Sequence, residues 1–219
     1  NKELNYYYKE EDRLGGYDPY SASKATAEIV IDSYRKSFFN ISRYEEHRKS
    51  ISVARAGNVI GGGDWSKDRL IPDIVKALHA GTGIAIRNPH SIRPWQHVLE
   101  PLAGYLALGA KQCIDPVSFS TAFNFGPETS DNLTVEEIVK ESINEWGAGN
   151  YVVLEDNSSH EANLLQLDIG KAKNKLGWYP RYSAKNAVQL TLNWYKQYYS
   201  DPVSAKKITF EQLNSYMEL

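Results

Sequence analysis

Tyr20 and Lys24 stand four residues apart in the run Asp18-Pro19-Tyr20-Ser21-Ala22-Ser23-Lys24, and they are the pair in this chain best suited to moving a proton. On a helix, residues at i and i+4 lie on one face a single turn apart, so a phenol and an ammonium would meet there. The positive charge favours phenolate and lowers the tyrosine pKa toward working pH, which makes the phenol a general base. Spacing alone is a weak signal, because a chain with 15 tyrosines will place one four residues from a lysine by chance; the plain alternative is a surface pair on a helix. Arg93 is a second candidate. Its guanidinium fork is always charged and could clamp a diphosphate, or could form an ordinary surface ion pair. Asn58 could hydrogen-bond phosphate or sugar hydroxyls from the end of a strand, or close an Asx turn. Trp65 could stack on or wall a nucleotide, or simply pack.

These residues need a scaffold that aims them at one place. Gly15-Gly16 breaks the chain before Asp18-Pro19, where Asp18 is suited to cap a helix and Pro19 to fill its first position. A helix of about five turns is expected over Tyr20 to Phe39, ended by Asn40. Ile51 to Ala54 reads as a buried strand that runs through Asn58-Val59-Ile60 into the turn Gly61-Gly62-Gly63-Asp64. Further elements are expected as helices at Leu70 to His79 and Val98 to Gln112, and as strands at Ile84 to Ile86 and Ala122 to Phe125. The last third reads as mostly helical. Thr134-Val135-Glu136-Glu137 has capping-box spacing ahead of a helix to Trp146. A short strand at Val152 to Leu154 precedes a helix from Lys171 to Leu176 that Gly177 stops, and an amphipathic helix follows from Ser183 to Tyr199. The alternation is that of an α/β protein in one unit, 1–219, with no internal boundary legible in the composition.

Several classes of function find no support. A formal net charge of -2 provides no basic field for nucleic acid. No apolar run approaches the ~18 residues of a membrane span, and the polar start does not resemble a signal peptide, so a cytoplasmic protein is expected. The single cysteine, Cys113, is expected to be a buried structural thiol. The five histidines show no metal-ligand spacing, and His97 is expected to be a structural hydrogen-bonder. Gly61-Gly62-Gly63 matches neither G-x-G-x-x-G nor G-x-x-x-x-G-K-[ST], which leaves it as a turn.

The run from Gly15 to Lys24 resembles the start of the active-site helix in the extended short-chain dehydrogenase/reductases that act on nucleotide sugars. Arg55-Ala56-Gly57-Asn58-Val59-Ile60-Gly61-Gly62-Gly63-Asp64-Trp65 resembles the family's strand end and substrate loop, and Arg69-Leu70-Ile71-Pro72-Asp73 follows in order. Ile86-Arg87-Asn88-Pro89, Arg93-Pro94-Trp95-Gln96-His97-Val98 and Leu176-Gly177-Trp178-Tyr179-Pro180 complete the series, which covers essentially all 219 residues. Within the family the wording is most similar to the 4,6-dehydratases that take CDP-glucose.

The resemblance implies a fold and a chemistry. The fold would be the carboxyl-terminal part of a Rossmann-type doubly wound parallel sheet plus a smaller, mostly helical substrate-binding lobe. Tyr20 and Lys24 would be both catalytic and NAD-binding. Asn58, Trp65, Leu70, Ile86, Arg87, Asn88, Arg93 and Glu161 would bind a CDP-sugar, with Glu161 in a stretch similar to the one that closes over the nucleotide ribose. Tyr20 would take the proton of the sugar 4-hydroxyl as hydride passes to NAD; water would then leave across C5 and C6. That activity belongs to deoxysugar and O-antigen biosynthesis. It also implies a glycine-rich cofactor turn, a Thr/Ser and elimination carboxylates that lie upstream of Asn1 in the family, so the isolated chain is expected to be inactive. A homodimer is expected for the full-length enzyme. Another nucleotide-sugar epimerase or decarboxylase of the same fold, or a non-catalytic nucleotide-sugar-binding module, are the alternatives.

Overall fold

The structure, a computed structural model, describes residues 6–16, 18–154 and 164–218. In chain order its elements are β1 (Tyr7–Tyr8), α1 (Pro19–Ser37), α2 (Tyr44–His47), β2 (Val53–Ala56), β3 (Asn58–Ile60), α3 (Leu70–Ala80), β4 (Ile84–Ile86), β5 (Ile92–Arg93), β6 (Trp95–His97) and α4 (Leu99–Ile114). There follow β7 (Ala122–Phe125), β8 (Leu133–Thr134), α5 (Val135–Trp146), β9 (Tyr151–Val153), β10 (Gln166–Leu167), α6 (Gly170–Leu176), α7 (Ala184–Ser200) and α8 (Ala205–Glu218).

Local chemistry explains most of the boundaries. Asp18 caps α1 by accepting from the Ser21 amide at 2.9 Å, with Pro19 at the first helical position. Thr134 and Glu137 form the capping box of α5, and Ser183 and Asn186 form an equivalent box at α7. Helices α3, α5 and α6 stop at Gly81, Gly147 and Gly177, all left-handed, where glycine carries no Cβ penalty.

Strands pair in parallel as β2 with β7, β3 with β6, β4 with β9 and β1 with β10, while β5 and β8 are antiparallel. The expected strand from 51 to 60 is therefore two strands. At Gly57 the chain leaves β7 and joins β6: the Gly57 amide donates to the Phe125 carbonyl at 3.1 Å, and the next amide, Asn58, donates to the Pro94 carbonyl at 2.9 Å. A Cβ at Gly57 would sit 2.6 Å from that carbonyl, so the fork requires glycine for close approach rather than for φ. Gln96 stitches the fork by donating its side-chain amide to the same Phe125 carbonyl at 3.0 Å.

Two apolar clusters result. The smaller joins Leu108, Phe123, Phe125, Ile169, Ala172, Leu176 and Trp178 around β7, the sheet-bearing part of the fold. The larger lies among α3, α5, α7, β4 and β6, with Ile74, Val75, Ile138, Val139, Leu192 and Tyr195 almost wholly buried. It is the mostly helical lobe expected from the sequence. Two expectations need correction. Cys113 is exposed near the end of α4, because the buried face of that helix is taken by Glu100, Gly104 and Leu108. The carboxyl-terminal helix α8 had no sequence-based counterpart; it is amphipathic and buries Ile208, Gln212 and Tyr216.

Candidate functional site

α1 places Tyr20 and Lys24 on one turn, as the spacing requires. The Lys24 ammonium lies 5.5 Å from the centre of the Tyr20 ring. Tyr20 is 71 % exposed, so its phenol is open to a partner rather than packed into the fold. The turn that carries it is held by Asp18, whose carboxylate accepts from Ser21 Oγ at 2.6 Å and is pushed below the usual carboxylate range by that hydrogen bond first and the Ser21 amide second.

Asn58 stands at the fork, the first residue of β3. Its backbone is committed to Pro94, and its half-buried side chain makes no hydrogen bond to another described residue, so the amide is available to a ligand. Arg93 is two residues from Trp95, the register partner of Asn58, which brings the guanidinium-bearing strand β5 against the same fork. Arg93 is half-buried and donates from Nη1 to the Ile92 carbonyl at 3.0 Å. Asn58 follows the carboxyl ends of the parallel pair β2 and β7, the kind of place where open α/β folds bind ligands, and Arg93 immediately precedes Pro94, whose carbonyl takes the Asn58 amide.

Other expected site residues are placed differently. Trp65 sits in an aromatic cradle on α7, with ring centroids 5.2, 5.1 and 5.9 Å from Tyr195, Tyr198 and Tyr199. That contact anchors the loop after β3, and 41 % of the residue stays exposed. The same loop is fixed twice more: the Tyr195 hydroxyl donates to the Asp64 carbonyl at 2.5 Å, and Gly62 lies against the Trp194 ring. Burial pushes the Tyr195 phenol up to about 12, so it remains a neutral donor. Leu70 begins α3 and packs on the large cluster. The Ile86 side chain is buried and its carbonyl accepts from Leu154 at 2.8 Å, whereas Arg87 is exposed and Asn88 half-buried. Glu161 lies outside the described residues.

Residues that the sequence reading gave no role also shape the site. Arg55 on β2 holds Glu28 on α1 through Nε at 2.8 Å and Nη2 at 2.5 Å, and donates from Nη1 to the Glu10 carbonyl at 3.2 Å. Glu10 in turn accepts the amide of Asn124, the register partner of Arg55, at 2.8 Å, and burial raises its carboxyl. Glu28 had a legible signal: it is the next i+4 position after Tyr20 and Lys24 on one helix face. No group of described residues has the composition of a metal site, and no helix among them is long and apolar enough to cross a membrane.

A family model described as GDP-mannose 4,6 dehydratase matches residues 2–191. The chain belongs to that family. Among individual relatives, it is 47% identical over 197 residues to a CDP-glucose 4,6-dehydratase of Salmonella typhimurium, covering 90% of this chain and 55% of that protein. A dTDP-glucose 4,6-dehydratase of Streptomyces antibioticus is 24% identical, with 86% of this chain and 52% of that protein covered. The chain spans about half the length of the curated relatives it matches. Among solved structures, a dTDP-glucose 4,6-dehydratase of Streptomyces venezuelae with NAD bound superposes with a TM-score of 0.74 at 22% identity, covering 89% of this chain and 56% of that one. A UDP-glucuronic acid 4-epimerase of Bacillus cereus, also with NAD, gives a TM-score of 0.74 at 16% identity, covering 90% and 58%. These likenesses establish the Rossmann-type fold, with the family membership resting on the sequence match.

Proposed function

We propose that these residues form the Tyr-Lys and sugar-nucleotide side of a CDP-glucose 4,6-dehydratase, which converts CDP-glucose to CDP-4-keto-6-deoxyglucose in deoxysugar biosynthesis. The observation that carries the reading is the 47% identity to the Salmonella enzyme, sustained over 90% of this chain, against 24% for the dTDP-glucose enzyme. The geometry supports it: an exposed phenol beside an ammonium on one helix turn, and Asn58 bound through its backbone to the residue that follows Arg93.

Tyr20 takes the proton of the sugar 4-hydroxyl, with the Lys24 ammonium beside its ring. Arg93 holds the diphosphate and Asn58 a phosphate or sugar hydroxyl, fixing the sugar against Tyr20. The phenol and ammonium also suit the hydroxyls of the NAD ribose, and NAD, when bound, supplies the hydride acceptor. The 219 residues contain no G-x-G-x-x-G to grip its pyrophosphate, so turnover is proposed for the intact protein and not for this stretch alone.

The test compares CDP-glucose, dTDP-glucose and UDP-glucose as substrates of the intact protein with NAD, following the 4-keto-6-deoxy product. Preference for CDP-glucose is expected. Turnover of UDP-glucose to an epimer, with no dehydration, would replace this reading with the epimerase alternative. The outer face of α1 exposes Val30, Tyr34 and Phe38, and it is the surface proposed for a homodimer; a one-chain mass in light scattering would contradict it.

A further inference from the structure

Glu28 lies one helical turn beyond Lys24, the spacing at which a lysine and a glutamate pair with each other. In the structure they do not pair. The Glu28 carboxylate is taken by Arg55, with Nε and Nη2 binding in the two-pronged geometry that makes guanidinium–carboxylate contacts strong and directional. Both side chains are about four-fifths buried, at 21 % and 18 % exposure, so this is not a freely exchanging surface contact. Lys24 is thereby left to lie over Tyr20.

The pair also fixes distance. Near the end of α1, Arg35 donates to the carbonyls of Ser120 at 3.0 Å and Ile51 at 3.5 Å. Moving back along the helix from Arg35 to Glu28 corresponds to moving forward along the strand from Ile51 to Arg55, so α1 and β2 run antiparallel. From the Glu28–Arg55 contact, Tyr20 lies eight helical residues away, about 12 Å. Asn58 lies three extended residues away in the same direction, roughly 10 Å. One contact therefore sets the reach of the phenol and of the fork residue from a common origin.

We infer that Arg55 is a positioning residue for the Tyr20–Lys24 pair, acting through Glu28: it pins α1 to the strand that leads to Asn58 and keeps the Glu28 carboxylate from drawing Lys24 off the phenol. The inference rests on the proposed role of Tyr20, which Tyr20→Phe tests separately.

The experiment measures kcat and KM of the intact protein on CDP-glucose for Arg55→Met, Arg55→Lys, Glu28→Gln and the double variant Arg55→Met/Glu28→Gln. Arg55→Met is expected to lower kcat about tenfold to a hundredfold while KM stays within about threefold, because the reacting group is displaced and the nucleotide contacts are not. Arg55→Lys falls between, and the double variant loses no more kcat than Arg55→Met alone, because the two residues act as one pair. Unchanged kcat in Arg55→Met, or losses in the single variants that add in the double, overturns the inference. Should Arg55→Met not fold, Glu28→Gln and Arg55→Lys decide: each must lower kcat with KM kept, and an unchanged kcat in both overturns it. If Tyr20→Phe keeps full turnover, the dehydratase reading fails instead.

Discussion

His97 shows how far one side chain in this fold departs from its solution behaviour. It is 2 % exposed on β6, its Nδ1 accepts weakly from the Leu99 amide at 3.4 Å, and Nε2 has no partner among the described residues. It is less a structural hydrogen-bonder than its sequence setting suggested. Burial lowers its pKa to about 4, below the ordinary 6.5, so the folded protein keeps the ring neutral. The unfolded chain binds the proton more readily between those values. Its contribution to stability is therefore whole above pH 6.5 and is lost as pH falls toward 4, amounting to about 3 kcal/mol. Urea unfolding of wild type and His97→Phe from pH 7 to pH 4 should show wild type losing about that much relative to the variant. The buried carboxyls of Glu10 and Glu100, raised by desolvation, act in the opposite direction but equally in both proteins. Parallel stability profiles would show that the His97 ring stays protonatable in the fold.

Among the elements, α7 does more than close the helical lobe. Trp194, Tyr195, Tyr198 and Tyr199 receive the loop that follows β3, and Trp194 passes the connection to α8 by donating from Nε1 to Thr209 at 2.8 Å. The family match ends at residue 191, so this anchoring lies beyond the matched stretch. A Cβ at Gly62 would fall 2.1 Å from the Trp194 ring, so either the indole or the loop would have to shift. Gly62→Ala should cost about 1–3 kcal/mol of unfolding free energy in urea titrations, and Trp194→Leu should recover part of it in combination. An additive double variant would mean that the two do not meet. The second glycine of the run was legible as a turn, but its reason was not, because Trp194 is far away in sequence. Helix spans were legible where caps, proline or glycine mark them: α1, α3, α5 and α7 fall within a few residues of expectation. The fork at Gly57 was hidden, since a change of strand partner leaves no mark on local periodicity.

At the scale of the whole molecule, a nucleotide-sugar dehydratase family and a Rossmann-type sheet with a helical lobe could be named from ordered motifs, and the family match bears this out. The geometry of the site was less accessible. Tyr20, Lys24, Asn58 and Arg93 are candidates by type and context, whereas the Arg55–Glu28 contact depends on tertiary pairing between α1 and β2, which the sequence does not mark. Exposure of Cys113 was misread for the same reason, because which face of α4 is buried is decided by its neighbours. The central claim is that the Tyr20 phenol, assisted by Lys24, begins dehydration of a CDP-sugar held at the fork. The most direct test is turnover of CDP-glucose by the intact protein against Tyr20→Phe, with CDP affinity measured by calorimetry on both. The account predicts that wild type forms the 4-keto-6-deoxy product and that Tyr20→Phe loses at least about a hundredfold in kcat with CDP binding retained. Wild-type turnover in Tyr20→Phe, or no turnover of CDP-glucose by wild type, would contradict it.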